Sequence, residues 1–192
     1  MSTFKLTGSY SGSTSITAPA SGSDRVITFP DAAGTVALKA GRSHAILEHR
    51  ESAGTSAGPF NSGAWQTRKI NTEASDPDGI VSISTNQFTL AAGTYTVTAN
   101  PLGVKVDRHV SRIYNATDSS VVKQGMSMFA DDSYFGCNCS WVSARFTISG
   151  TKAFEIQHEC QQTRAEYGMG IETSSALSND SELYMTVWIE KE

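Results

Sequence analysis

The sequence predicts an all-β fold built as an antiparallel sandwich, on three grounds. Ser, Thr and Gly are abundant, whereas hydrophobic residues make up 39% and charged residues 18% of the 192 residues, a mixture that favours strands and turns over helical bundles. Short β-like runs follow one another closely from Trp65 onward. Turn signals such as Asp76-Pro77-Asp78-Gly79 and Asn100-Pro101 separate those runs, and no long helical pattern interrupts them.

Residues 1–40 form a first compositional zone, and we predict that it is a small β-rich anchoring segment. Its β-like runs, separated by Ser and Gly, are FKLTGSY, TSITAP, RVITF and GTVAL. None of these runs is long enough to build a core alone, so the zone requires a partner or a trimer to become ordered. Within it, Pro30 cannot donate a ladder hydrogen bond and Gly34 permits a tight reversal. The predicted anchor residues are Phe29, Pro30, Asp31 and Gly34.

Residues 41–64 are predicted to be a linker that includes the first strand of the main domain. The run SHAILEHRE fits either a strand or a short helix, because so few residues do not separate the two periodicities. The run SAGTSAGPFNSGA that follows is predicted to be a loop, since Gly and Pro interrupt regular structure.

Residues 65–192 are predicted to be the sandwich itself, long enough to bury a real core. Its strand-like runs are AWQTRKIN, IVSIS, QFTL, TYTVTA, VKVDRHVSRIYN, SVVKQGM, WVSARFTI, AFEIQHEC, YGMGIE and ELYMTVWIE. Alternation puts Phe146 and Ile148 on the core face of one run, and Phe154 and Ile156 on the core face of the next. These two runs are therefore predicted to form a hairpin that turns near Gly150.

The last run, ELYMTVWIE, is apolar on both faces. Strict alternation directs Tyr184 and Trp188 to one face. The residues that it directs to the other face are Leu183, Met185, Val187 and Ile189. A strand that is apolar on both faces is expected to be covered on both. The face of Tyr184 and Trp188 therefore needs a second sheet or a second subunit.

Three short motifs suggest chemistry, and each has a simpler structural explanation. The pairs Cys137-x-Cys139 and His158-x-Cys160 offer zinc ligands, but their spacing is shorter than structural zinc sites favour, so small buried hydrophobic residues are the preferred interpretation. Gly54-Thr55-Ser56-Ala57-Gly58 matches the nucleophile elbow of hydrolases, but no helical pattern follows it. Asp76-x-Asp78-Gly79 lacks the further ligands of a calcium loop. We therefore predict no catalytic site, no metal and no cofactor.

Charge and hydropathy argue against two classes of partner. The formal net charge is −4 and no basic run is present, so nucleic acid is not an expected partner. No segment approaches the roughly 20 apolar residues that a membrane helix requires. The N-terminal residues lack the apolar core of a secretion signal. The three cysteines, an odd number, agree with reduced thiols and with synthesis in the cytoplasm.

Two parts of the chain resemble bacteriophage virion proteins. VITFPDAAGTVAL is similar to an element near the N-termini of tail fibre and related structural proteins. From about His44 to the C-terminus, the chain resembles a C-terminal domain of phage tail and fibre proteins. The segments that carry this resemblance are GAWQTRKINTEASD, QFTLAAGTYTVTANPLGVKVDRHVSRIYNATD, KAFEIQHECQQTRAEYGMGI and ELYMTVWIEKE. LAAGTY stands where that family often has LPAGTY, and YGMGI stands where it often has GFGV.

The resemblance implies a jelly roll similar to the C1q and tumour necrosis factor domains, which are trimers. It further implies a homotrimeric virion structural protein, made in the cytoplasm of a bacterial host and anchored to other virion proteins through residues 1–40. In such trimers the terminal strand runs near the threefold axis. The resemblance therefore suggests that Tyr184 and Trp188 pack between subunits.

Two functions on the virion surface follow from these expectations. The first is a short tail fibre or receptor-binding tip, with a host surface carbohydrate as the default ligand and with Tyr134, Phe135 and Asn138 as candidate binding residues. The alternative is a capsid decoration or cement protein, or a head fibre, that stabilises the shell. The short chain favours the alternative, because no heptad or β-helical repeat is present to form a shaft.

Overall fold

Fourteen strands make up the regular structure of residues 42–173 and 180–192, which are the residues that the computed structural model describes. In chain order the strands are β1 (Ser43–Ser52), β2 (Gln66–Thr67), β3 (Thr72–Ser75), β4 (Val81–Ser84), β5 (Gln87–Leu90), β6 (Gly93–Ala99), β7 (Leu102–Val104), β8 (Asp107–Asn115), β9 (Ser120–Gln124), β10 (Met128–Ala130), β11 (Cys137–Cys139), β12 (Val142–Ile148), β13 (Lys152–Cys160) and β14 (Ser181–Lys191). Within these residues no helix is long and apolar enough to cross a membrane.

The strands form two main antiparallel sheets and one small ladder. The first sheet has the order β12-β6-β14-β1-β3. The second sheet has the order β10-β8-β13-β5-β4, with β2 paired to β13 and β9 paired to β8. Strands β7 and β11 pair separately. The predicted all-β antiparallel sandwich is therefore confirmed.

The hydrophobic core lies between the two main sheets and follows from strict alternation. In β6 the side chains of Tyr95, Val97 and Ala99 are fully buried, whereas the threonines between them point to the other face. The inward side chains of both sheets belong to one cluster, which includes Leu47, Phe88, Leu90, Tyr95, Val97, Ile113, Phe154, Ile156, Val187 and Ile189. Phe154 stacks on Phe88 at 5.6 Å between ring centroids.

The run SHAILEHRE, for which a strand and a helix both remained open, is part of β1. It pairs with β14 along its whole length, from Ser43 opposite Lys191 to Ser52 opposite Ser181. Ala45 and Leu47 point into the core, so the run shows the two-residue alternation of a strand. Pairing with β14 therefore decides that the run is a strand and not a helix.

The predicted hairpin between β12 and β13 is wrong. Strand β12 pairs with β6 in the first sheet, whereas β13 pairs with β8 and β5 in the second. The chain crosses from one sheet to the other near Gly150. The side chains nevertheless face one shared core, because Phe146 and Phe154 approach each other at 5.1 Å between ring centroids. Alternation predicts which side of a strand is buried but not which strand lies next to it.

The turn predicted at Asp76-Pro77-Asp78-Gly79 is confirmed. The Asp76 carboxylate accepts hydrogen bonds from the backbone N–H groups of Ile80 and Val81, at 2.9 and 3.0 Å. Gly79 has a positive φ of 62°, which glycine adopts at little cost. Asp76 therefore organises the start of β4, and its carboxylate oxygens are already engaged by backbone donors.

The predicted anchoring segment lies outside the described residues. This applies to residues 1–40 as a whole and to the predicted anchor residues Phe29, Pro30, Asp31 and Gly34. The three-part division at residues 40 and 64 stays a prediction.

Candidate interaction surface

The outer face of the first sheet carries two stacked aromatic rings with hydroxyl side chains around them. Trp188 of β14 stacks on Trp141, with ring planes 4° apart and centroids 5.9 Å apart. Trp141 is 46% exposed. Opposite Trp188 in the register lie Thr98 on one side and Ile46 on the other. A flat, partly apolar surface of this kind is typical of a protein contact.

Hydroxyl pairs and rim charges surround the two indole rings. Thr98 Oγ1 lies 2.8 Å from Ser143 Oγ, and Thr94 Oγ1 lies 2.9 Å from Thr147 Oγ1. Charged groups on this face are held in ion pairs, namely Arg145 with Glu192, Arg42 with Glu190 and Arg50 with Glu48. The residues beside Trp188 on the two neighbouring strands, Thr98 and Ile46, are uncharged, as the buried centre of an interface usually is.

A β-bulge in β14 leaves Leu183 exposed and places Tyr184 in the interior. Met185 pairs with His49, but Leu183 pairs with the next residue, Arg50, so Tyr184 is the extra residue. Beyond the bulge the alternation is inverted. Leu183 is 47% exposed instead of sharing the core face of Met185, so that part of the alternation prediction is wrong.

Tyr184 is covered by its own chain. Only 3% of its surface is exposed, its hydroxyl donates to the carbonyl of Thr55 at 2.7 Å, and its ring lies directly against Gly170. Glycine is required at position 170 because a Cβ there would overlap the ring. Of the predicted interface pair, Tyr184 is therefore enclosed by its own chain, whereas Trp188 lies on the outer face of the first sheet.

Tyr134 and Phe135 lie together at an exposed loop between β10 and β11. Tyr134 is 89% and Phe135 50% exposed. The Phe135 ring stacks on Tyr167 at 6.1 Å, and the Lys105 ammonium lies 5.3 Å from the Phe135 centroid. The Asp131 carboxylate accepts the backbone N–H of Tyr134 at 2.7 Å, which holds the loop. Tyr167 and Lys105 were not predicted, because only the fold brings them to this loop.

Asn138, the third predicted binding residue, has a different environment. It lies on β11 and is half-buried. Its Nδ2 donates to the carbonyl of Phe129 at 2.7 Å, and its Oδ1 lies 2.6 Å from His109 Nε2. Asn138 thus holds a buried histidine rather than joining Tyr134 and Phe135 at the loop.

The hydrogen bonds of Asn138 define a proton arrangement in the interior. Because Nδ2 of Asn138 is the donor to Phe129, its Oδ1 accepts from His109 Nε2. His109 Nδ1 then accepts from His158 Nε2, which lies at 2.9 Å. Nδ1 of His158 is left without a hydrogen-bond partner. Both rings are neutral in this arrangement.

A fully buried arginine lies at the centre of these histidines. Nη2 of Arg68 donates to the carbonyl of Met169 at 2.7 Å, and Nη1 donates to that of Leu102 at 3.2 Å. Among the described residues it forms no ion pair. Burial lowers the pKa of Arg68 to about 9, so the guanidinium stays charged at neutral pH. Burial, and next the charge of Arg68, lowers the pKa of His49 to about 4 and that of His158 well below its usual value.

Acidification from pH 6.5 to pH 4.5 is expected to destabilise the fold through His49, His109 and His158. Burial lowers the pKa of all three from 6.5, so in this range the unfolded chain binds protons that the folded chain does not. The contribution of these three histidines to the free energy of unfolding is therefore fully present above pH 6.5. It is lost as the pH falls toward their pKa values in the folded protein. His49 alone accounts for up to about 3 kcal/mol. Urea unfolding at pH 7 and pH 5 measures the loss.

The control for this prediction is the exposed histidine His44. We expect His49→Gln to reduce the pH dependence and His44→Gln to leave it unchanged. The carboxylates Glu51 and Glu155 do not interfere, since their pKa values lie below the ordinary 4.5. A wild-type protein that is equally stable at pH 7 and pH 5 would contradict the prediction.

The motifs that suggest chemistry have the following surroundings in the part of the chain described. Ser56 of the Gly54–Gly58 motif lies in a loop and donates to the Glu172 carboxylate, with no helix behind it. Cys160 is buried, Cys137 is exposed, and the cysteines are free thiols. Residues 42–173 and 180–192 hold no group of three or more His, Cys, Asp or Glu side chains that could bind a metal.

Comparisons with known proteins identify the fold. No protein-family profile matches the chain, and no curated protein matches it in sequence. The crystal structure of murine APRIL at pH 5.0 is similar with a TM-score of 0.50 and 8% identity, over 79% of this chain and 100% of that one. The PRD1 vertex protein P5 is similar with a TM-score of 0.50 and 10% identity, over 78% and 96%.

The globular domain of zebrafish complement 1qA protein is similar with a TM-score of 0.49 and 12% identity, over 79% of this chain and 97% of that one. APRIL belongs to the tumour necrosis factor family. Likenesses at such low identity concern the arrangement of strands, which agrees with the two sheets described above. This chain is an all-β protein with a TNF-like jelly-roll fold.

Proposed function

We propose that this chain is a homotrimeric structural protein of a bacteriophage virion and acts as a short tail fibre or receptor-binding tip. The outer face of the first sheet, with Trp141 stacked on Trp188, is the observation that carries the proposal. The jelly-roll domains that the chain resembles form homotrimers. The phage location is supported by the N-terminal run VITFPDAAGTVAL and by the fold shared with PRD1 vertex protein P5.

The aromatic pair supports a trimer on energetic grounds. A buried Trp removes about 150–250 Å² of surface from water, yet Trp141 is 46% exposed in the single chain. A second copy that covers the two indole rings would gain that burial, and the flanking carboxylates of Glu48 and Glu190 are already held in ion pairs. Repeated around a threefold axis, the same contact closes a ring and leaves no open end.

Attachment requires no chemistry in this proposal. A trimer presents three copies of any ligand site, and several trimers on one particle multiply the effective concentration of weak sites. The ligand in this proposal is a host surface carbohydrate. Residues 1–40 are proposed to connect the trimer to other virion proteins.

A capsid decoration, cement or head-fibre protein is the second candidate function. The name of PRD1 vertex protein P5 assigns that protein to a vertex of its particle, which favours a position on the head. In this role the trimer would stabilise the shell rather than bind the host.

Native mass spectrometry and virion quantification test the two candidates. We expect a folded species of three chains, each of 20.5 kDa, and a monomeric mass would contradict the trimer. In purified virions a fibre protein is expected at far fewer copies than the major capsid protein. A copy number close to that of the capsid protein would rule out the fibre and favour decoration, and absence from virions would contradict both.

A further inference from the structure

A cleft of about 520 Å³ opens on the outer face of the second sheet, where the edge strand β10 pairs with β8. Phe129 projects from β10 and is 52% exposed. Its neighbour across the pair is Arg108, whose guanidinium lies 5.8 Å from the Phe129 ring centroid. The cleft therefore offers an aromatic face beside a planar group with several hydrogen-bond donors.

Further polar groups of the cleft are fixed in place yet have free hydrogen-bonding capacity. Nη1 of Arg108 donates to Oε1 of Gln161 at 3.0 Å, and the backbone N–H of Gln161 donates to the carbonyl of Arg108 at 2.8 Å. The amide nitrogen of Gln161 has no partner among the described residues. The Glu159 carboxylate also lines the cleft and forms no hydrogen bond or ion pair with them.

A second aromatic and arginine group follows along β8 on the same face. Nε and Nη2 of Arg112 donate to Oε1 of Gln157, at 2.8 and 2.6 Å. The guanidinium lies 3.9 Å from the Trp65 ring centroid and 4.9 Å from that of Tyr114. Arg108 and Arg112 are four residues apart on one strand, so the two groups are separated by about 14 Å.

The two outer faces of the sandwich thus have different chemistry. The first sheet presents the stacked indole rings of Trp141 and Trp188 beside hydroxyl groups, which suits a protein subunit. The second presents aromatic rings beside guanidinium, amide and carboxylate groups, with Arg108 and Arg112 balanced in charge by Glu155 and Glu159. Unpaired charged groups are depleted from the centres of protein interfaces, and a surface without net positive charge does not suit nucleic acid.

A neutral saccharide matches this second face. One side of a sugar ring is made of C–H groups that pack on an aromatic ring. Its rim carries hydroxyl groups that both donate and accept hydrogen bonds, which suits planar side chains of both kinds. Arg108, Arg112 and Phe129 project from strands, which hold them more rigidly than a loop would, so little of their conformational entropy is lost on binding.

We infer that the outer face of the second sheet binds a short neutral oligosaccharide, with one sugar unit against Phe129 and Arg108 and another near Trp65 and Arg112. This inference rests on the proposed function, because a virion protein at the host surface meets bacterial glycans. It moves the principal carbohydrate site from the loop of Tyr134 to the sheet.

An array of purified bacterial capsular and O-antigen polysaccharides, probed with the fluorescently labelled full-length protein, tests the inference. We expect binding to at least one neutral polysaccharide. On that polysaccharide, Phe129→Ala and Arg112→Ala are each expected to weaken the affinity by about tenfold or more, as central contacts do. Phe129→Tyr, which retains the ring, is expected to bind as the wild type does.

Tyr134→Ala is the matched control, because it removes an exposed aromatic ring from the loop instead of the sheet. We expect it to change the affinity by less than about twofold. Native mass spectrometry of every variant establishes that the number of subunits is unchanged. Tryptophan emission supplies a second measurement, since Trp65 is expected to change on titration with the polysaccharide and Trp65→Phe to remove that change.

The outcomes separate this inference from the proposed function. If Tyr134→Ala abolishes binding and Phe129→Ala does not, the site is on the loop, so the inference fails while the attachment role stands. If the wild type binds none of the polysaccharides, the inference also fails, and the virion copy number still decides between fibre and decoration. Loss of binding in Phe129→Ala with retention in Phe129→Tyr and Tyr134→Ala supports the inference.

Discussion

Replacing Trp188 with glutamate is expected to convert the proposed trimer into monomers. Trp188 lies at the centre of the outer face of the first sheet, between Thr98 and Ile46 and stacked on Trp141. Glutamate removes that stacking and introduces an unpaired charge into the proposed contact, which typically costs about 2–4 kcal/mol per contact. A threefold ring contains three such contacts. Native mass spectrometry at one protein concentration measures the change in subunit number.

Ser82→Glu is the matched control for this prediction. Ser82 is exposed on β4 of the second sheet, so the same charge is added to a face that the trimer contact does not use. We expect Ser82→Glu to remain trimeric. Circular dichroism checks that both variants keep their strands. A folded Trp188→Glu variant that is still a trimer would show that the subunits meet through another surface.

Phe154→Ala is expected to lower the free energy of unfolding by about 3–5 kcal/mol, the usual cost of deleting a buried aromatic ring. Phe154 is fully buried on β13 and its ring contacts Phe88 in its own sheet. It also contacts Phe146, which belongs to the first sheet. Removing the ring therefore opens a cavity where the two sheets meet. Urea unfolding at a fixed protein concentration measures the loss, since the stability of an oligomer depends on concentration.

Phe129→Ala provides the comparison for Phe154→Ala. Phe129 is 52% exposed at the edge of the second sheet, so its removal leaves no enclosed cavity. We expect a loss below about 1 kcal/mol, which is the range of most surface substitutions. Equal losses in the two variants would contradict the packing described for the core.

Alternation along single strands predicted much of the fold. It correctly assigned the inward side chains of β12 and β13, such as Phe146 and Ile156, because a strand exposes its two faces in turn wherever its neighbours lie. It failed at two places where other parts of the chain decide. Strands β12 and β13 belong to different sheets, and the bulge at Tyr184 inverts the faces of Leu183.

The candidate surfaces were less accessible to sequence reasoning than the strands were. Tyr134 and Phe135 are adjacent in the chain, so their grouping was visible. Asn138 looked similar, but it is directed inward to His109. The face proposed for carbohydrate was not predicted, because its side chains come from β8, β10 and β13 and from Trp65, which lie far apart in the chain.

The sequence by itself determined that this protein is an all-β sandwich, since composition, period-two alternation and turn residues are local properties of the chain. It also predicts that the N-terminal run VITFPDAAGTVAL is separate from the domain that follows. Only the tertiary structure decided that Trp141 meets Trp188, that Tyr184 is enclosed, and that Arg108 and Phe129 stand beside a cleft. The physical reason is that strand pairing joins residues far apart in the chain, and one bulge or crossover changes which side chains share a face.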